Sequence, residues 1–203
     1  MKRFAKMKKK HMTGILLIML ICMFVGITGY AEEITGPGAE LKNKNNESTN
    51  GVSIYVSKRT RTLLLKQNGN LIAEYPVTIG EASDDGNKMV EGDMRTPSGE
   101  FYVCTRNDKS IAYLALGLSY PGVKDAERGY ADGIITKEQR DEIIKANQLG
   151  KQPPWDTPLG GAIEIHGCRT PDGFTHGCVA LDNEAMDVLW NYCNLGVPVT
   201  IGP

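Results

Sequence analysis

Two of the chain's three histidines and two of its five cysteines fall within thirteen positions: His166, Cys168, His176 and Cys178, in the run IEIHGCRTPDGFTHGCVALDN of residues 163–183. A free thiol has a pKa of roughly 8.5, so it needs a base to become a nucleophile near neutrality. Cysteine with histidine is the minimal kit for acyl transfer through a thioester. Gly177 directly before Cys178 permits a tight turn that exposes the sulfur and turns the Gly177 and Cys178 backbone N–H groups toward a developing oxyanion. Cys178 is therefore the candidate nucleophile. Of the two histidines, His166 ends an apolar run and is the favoured base, because a strand end orients a ring well. His176, two residues from Cys178, is the alternative base or a helper. The rival chemistry is a structural zinc site of two His and two Cys. Against it, one glycine separates each pair, whereas zinc ligand pairs usually stand two to four residues apart.

These residues need a framework. Residues 52–57 alternate as a half-buried strand, and residues 62–65 and 71–79 read as two more. Asn68-Gly69 between the latter is a strong hairpin signal, since type I′ turns require positive φ. Residues 81–95 form a polar loop, TPSG at 96–99 a turn, and residues 100–105, 111–118, 162–166 and 197–201 further strands. Residues 136–149 read as a helix, with Thr136 and Gln139 as a capping box and Gly150 as its stop. Residues 183–195 read as a second helix, with Met186, Leu189, Trp190 and Cys193 on one stripe. The expectation is a mostly β (β-rich α+β) domain with two short helices. Asn183 fits a helix cap or a hydrogen bond in the site. Tyr120 is a candidate to line the cleft, and Trp155 reads as core. In an oxidising compartment Cys104 and Cys193 could form a structural bridge, and Cys168 is either incidental or a partner for Cys178.

The chain has 203 residues, 41% hydrophobic and 23% charged, enough for one domain with a core. Residues 1–31 hold six basic residues and no acidic one, which leaves 17 basic against 24 acidic, a balance of −7, in the remainder. That balance disfavours a nucleic-acid partner. Within residues 1–31 a basic run precedes an apolar stretch at 14–28 and a small-x-small pattern ending at Ala31. This is the layout of a signal peptide or an uncleaved N-terminal anchor. Residues 32–51 read as a flexible linker and 52–203 as the working domain, exported to the cell wall or the outer face of the membrane. Membrane contact is expected only through the N-terminal segment if it is retained.

Thr175-His176-Gly177-Cys178-Val179 resembles the S/T-H-G-C-hydrophobic signature of L,D-transpeptidases with a YkuD-type catalytic domain, and the run ending in His166-Gly167 resembles that family's first His-Gly. The opening VSIYVSKRTRTLLLKQNGNLIAEYPVTIGE and the TPSGEFYV segment resemble the same family, over residues 52–203. Residues 119–161 resemble the insertion of a subgroup of exported bacterial enzymes. The resemblance implies a YkuD-like β-sandwich and a peptidoglycan L,D-transpeptidase that needs no cofactor or metal. It would join stem tetrapeptides by 3→3 cross-links through a Cys178 thioester, with L,D-carboxypeptidase activity as the alternative. Carbapenem-type inhibitors are implied partners, and the Gly167 carbonyl is implied as the group that orients the base. Many family members carry Arg two residues after the cysteine. Here that position is Ala180, and Arg169 is the candidate substitute for binding the substrate's carboxylate.

Overall fold

A computed structural model describes residues 49–203. The expected signal segment and most of the linker lie outside the described residues. Eight strands form one sheet in the order β3-β2-β1-β8-β4-β5-β6-β7. Here β1 is Val52–Ser57, β2 Thr62–Gln67, β3 Asn70–Pro76, β4 Gly99–Ser110, β5 Tyr113–Leu118, β6 Glu164–His166, β7 Val179–Ala180 and β8 Pro198–Gly202. The long β4 joins two leaves. Its first residues pair with β8, and Val103 onward pairs with β5. The sheet curls around a core that draws Val52, Ile54, Leu63 and Leu65 from one leaf and Leu116, Leu118, Ile165 and Val179 from the other. The mostly β expectation holds.

The first leaf follows its alternation. Leu63 and Leu65 point into the core with no exposure, and β1 pairs with β2 over six consecutive residues. Asn68 and Gly69 take φ of 51° and 80° in the hairpin turn, as its type demands. The expected strand at 71–79 ends earlier, at Pro76. Residues 77–80 swing away to bridge Thr78 to Ala180 and Gly80 to Thr175, so they support the chemistry-bearing segment instead.

Among the described residues three α-helices are present rather than two. α2, Lys137–Gln148, starts at the expected Thr136/Gln139 capping box, and α3, Asn183–Tyr192, has Asp182 as its N-cap. The unforeseen α1 is Val123–Ala131, opened by the Asp125 carboxylate accepting the Gly122 N–H at 3.0 Å. It buries only Ala126 and Gly129, so it shows no apolar stripe in the sequence. Gly129 lets the helix approach Leu159: a Cβ there would stand 2.7 Å from a Leu159 methyl. Ala126, Ile135, Ile143 and Leu159 make a second, small core.

The expected Cys104–Cys193 bridge is absent, and both thiols are free. Val103 and Cys193 belong to the core, and alternation along β4 turns Cys104 to the opposite face. Burial pushes both thiols up to about 12, which keeps them unreactive. Among the described residues no helix is long and apolar enough to cross a membrane.

Candidate active site

β6 and β7 run parallel, with Ile165 opposite Val179 and His166 opposite Ala180. Ile165 and Val179 are fully buried in the core, so alternation places Glu164, His166, Cys178 and Ala180 together on the other face. The bridge from Thr78 to Ala180 extends that row by one residue. The short ladder thus brings the base and nucleophile candidates, twelve positions apart in sequence, to one sheet end.

The half-buried His166 has Nδ1 at 2.7 Å from the Gly167 carbonyl oxygen. A carbonyl only accepts, so Nδ1 carries the proton and the lone pair sits on Nε2. Gly167 is required by close approach. A Cβ there would meet Asn183 Oδ1 at 2.6 Å and both the Ala112 carbonyl and Tyr113 at 3.0 Å. Asn183 Oδ1 in turn accepts the Cys168 N–H at 2.8 Å. Asn183 therefore holds the loop that leaves His166, at the first residue of α3 rather than at its cap. Cys168 is exposed and free, with φ of 57°.

Cys178 is half-buried and also free. The Glu164 N–H donates to its sulfur at 3.4 Å. Burial pushes the thiol up to about 11; the Glu164 N–H and the Lys88 charge pull it down, and the Glu164 charge raises it. At rest near neutrality the group is a thiol. The turn before it is tightly bound. Gly177 has φ of 136°, and a Cβ there would lie 2.9 Å from the Arg95 carbonyl oxygen. Thr175 Oγ1 accepts the Gly177 N–H at 3.1 Å and donates to the Cys178 carbonyl at 2.7 Å. Thr96 Oγ1 donates to that carbonyl at 3.4 Å. His176 is exposed on the same turn.

The 87–96 loop that braces this turn is organised by Asp93. Its carboxylate accepts from the Met89, Val90 and Arg95 N–H groups and from buried Lys88 at 2.9 Å. Burial alone would raise the Asp93 carboxyl, but these four donors hold it below its usual range. Thr175 is legible in the sequence only as the first residue of the T-H-G-C signature, and neither Thr96 nor Asp93 is foreseen as part of the site. The TPSG segment was legible only as a turn, although Thr96 within it reaches the nucleophile's backbone.

Two residues expected to touch substrate are otherwise engaged. Tyr120 is fully buried. Its hydroxyl donates to the Leu159 carbonyl at 3.0 Å, and its ring meets Phe101 edge-on, so it supports the wall from behind rather than lining the cleft. Arg169 is clamped by Asp182 through two bonds of 3.1 Å, which already offset its charge. Among the described residues no cluster of three or more His, Cys, Asp or Glu is placed to hold a metal.

The family model described as the YkuD L,D-transpeptidase catalytic domain matches residues 51–201, three-quarters of the chain. The chain belongs to the YkuD family. Similar solved structures include Bd1075 of Bdellovibrio bacteriovorus, at 24% identity and a TM-score of 0.51 over 77% of this chain and 49% of that one. The helical cell shape determining protein Pgp2 of Campylobacter jejuni gives 20% identity and 0.50 over 74% and 46%. An L,D-transpeptidase, LdtMt1, solved in complex with imipenem, shares 13% identity over 75% of this chain and 59% of that one, with a TM-score of 0.43. The chain thus spans about half the length of the first two. No curated protein matches. In the YkuD domain here His166 ends β6 and Cys178 stands directly before β7, where Ala180 lies opposite His166.

Proposed function

We propose that this YkuD domain is an exported, cysteine-dependent peptidoglycan L,D-transpeptidase. The observation that carries the reading is the pairing of β6 with β7. It sets Cys178 on the same face as a histidine whose Nδ1 is tied to Gly167, leaving Nε2 to take a proton.

In this reading Nε2 of His166 takes the thiol proton as the Cys178 sulfur attacks the carbonyl at the L-centre of the stem's third residue. With the Gly177 N–H already given to Thr175, the Cys178 N–H is the turn's donor to the oxyanion. The tetrahedral intermediate collapses, the C–N bond breaks, and the imidazolium returns its proton to the amine of departing D-alanine. The thioester then acylates the amine of a neighbouring stem to give a 3→3 cross-link, or water to give a tripeptide. The raised thiol gives the base a clear task, because the nucleophile is protonated until the moment of attack. His176, exposed on the nucleophile's own turn, assists rather than removes the proton.

Incubation with purified disaccharide-tetrapeptide followed by mass analysis tests this. A 3→3 dimer with release of D-alanine is expected. Tripeptide alone assigns the carboxypeptidase outcome, and unchanged substrate contradicts both.

A further inference from the structure

Glu164 shares the reactive face with His166 and Cys178. It opens β6, and its own N–H donates to the Cys178 sulfur at 3.4 Å. Extending the parallel register of Ile165 with Val179 back by one residue sets Glu164 directly opposite Cys178. On its other flank Glu164 pairs with Gly117 of β5. Gly117 is bare because Trp155 lies on it: a Cβ there would stand 2.8 Å from the indole. The indole and the thiol thus flank the Glu164 side chain on its two sides. Gly161 packs on the same ring, and the Ala162 carbonyl beside it accepts the Cys178 S–H at 3.6 Å. At rest the thiol proton is therefore directed to a carbonyl rather than to the base.

The Glu164 carboxylate is half-buried, and among the described residues it accepts no hydrogen bond and pairs with no lysine or arginine. Burial pushes its carboxyl up, and the His166 charge pulls it down. A carboxylate withdrawn from water without a partner is costly unless its charge has a use. Burial is the largest cause of the raised Cys178 thiol, and the Glu164 charge adds to it, against the Glu164 N–H and the Lys88 charge. The other ionisable group facing this row, Cys104 of β4, is pushed up to about 12 chiefly by burial and stays neutral. During attack the two neighbours of Glu164 change in opposite senses. Once the sulfur bonds to carbon, its negative charge has passed to the oxyanion held at the Cys178 N–H. The imidazolium, by contrast, lasts until its proton reaches the leaving amine. A fixed carboxylate here disfavours the resting thiolate and favours the state with charge on His166, so it acts on the transition state more than on the ground state.

We propose that Glu164 is a positioning residue for this reaction: its carboxylate holds the Cys178 thiol protonated at rest and stabilises the His166 imidazolium once attack begins. This rests on the cysteine–histidine reading above and deepens it. The Gly167 carbonyl fixes the ring from one side through Nδ1, and Glu164 supplies the negative charge that a carbonyl lacks. Trp155 keeps that charge effective by excluding water from one flank.

The test reads Cys178 in two ways, in the unaltered protein, Glu164→Gln and Glu164→Asp, with folding checked by thermal melts. Iodoacetamide alkylation, followed by mass analysis of the Cys178 peptide, reports the thiolate without any substrate. Carbapenem acylation reports attack assisted by His166. In Glu164→Gln the alkylation profile should move down by about one pH unit. Alkylation at pH 7 should then quicken about threefold, since a tenfold gain in thiolate is partly offset by its weaker nucleophilicity. Carbapenem acylation at the same pH should slow about tenfold. Glu164→Asp keeps the charge and should bring both rates part of the way back. The opposite signs decide the matter, because a merely structural role would slow both reactions together. Both rates falling, both rising, or neither changing overturns the proposal. Neither readout uses a stem peptide. If tetrapeptide is left unchanged while the two rates move apart, the stem-peptide reading fails and the role of Glu164 stands. If none of the three proteins takes up carbapenem on Cys178, the role of Glu164 falls as well.

Discussion

The two leaves of the sheet are built differently. In the first, β1 and β2 pair over six residues and β3 continues the ladder, so the backbone groups satisfy one another and apolar alternation does the rest. In the second, β6 has three residues and β7 two. What fixes residues 166–180 there is side chains on backbone: Thr175 and Thr96 on the Cys178 carbonyl, and Asn183 on the Cys168 N–H. A long ladder leaves no donor or sulfur free. A short one ends with a thiol and an imidazole on one face. Stability and reactivity therefore reside in separate leaves, and substitutions in each should affect one and spare the other.

The largest effect is expected at His166. His166→Ala should lose acylation of Cys178 by 10²–10⁴-fold at neutral pH, the usual contribution of a general base, without lowering the melting temperature. Because burial raises the Cys178 thiol to about 11, the thiolate fraction grows with pH over the whole range below that value. The variant's rate should climb about tenfold per pH unit toward it. A stopped-flow acylation profile checks this, and a flat profile would break the division between leaves.

Leu65→Ala is the mirror case. Leu65 is fully buried in the first leaf, and the truncation should cost about 2–5 kcal/mol by urea unfolding, with acylation per folded molecule unchanged. Next comes Thr175→Val, which removes one bond to the Cys178 carbonyl and one from Gly177. It should slow acylation by about tenfold, for a stability loss of about 1 kcal/mol. The smallest effect is Tyr120→Phe, which deletes only the bond to Leu159. It should cost about 1 kcal/mol in thermal melts and leave KM for tetrapeptide unchanged; a raised KM would return Tyr120 to the cleft.

The same division explains what the sequence disclosed. The first leaf was legible because each element carried its own signal: alternation in residues 52–57, the apolar run at 62–65 and Asn68-Gly69 at the turn; the Thr136/Gln139 capping box did the same for α2. The reactive residues were legible by type and spacing. Their supports were not. β7 is too short for any period, α1 buries only alanine and glycine, Thr96 and residues 77–80 act across long sequence separations, and Asp93 organises a loop that has no period of its own. Tyr120 misled because an aromatic beside an insertion reads equally as wall or core, and only its full burial decides.

The most direct test of the account is to locate the acyl group itself. The protein treated with a carbapenem should gain the inhibitor's mass on the peptide containing Cys178, and Cys178→Ala, folded as before by circular dichroism, should gain none. An adduct on Cys168, or one that persists in Cys178→Ala, would contradict the assignment of the nucleophile and with it the function proposed for this fold.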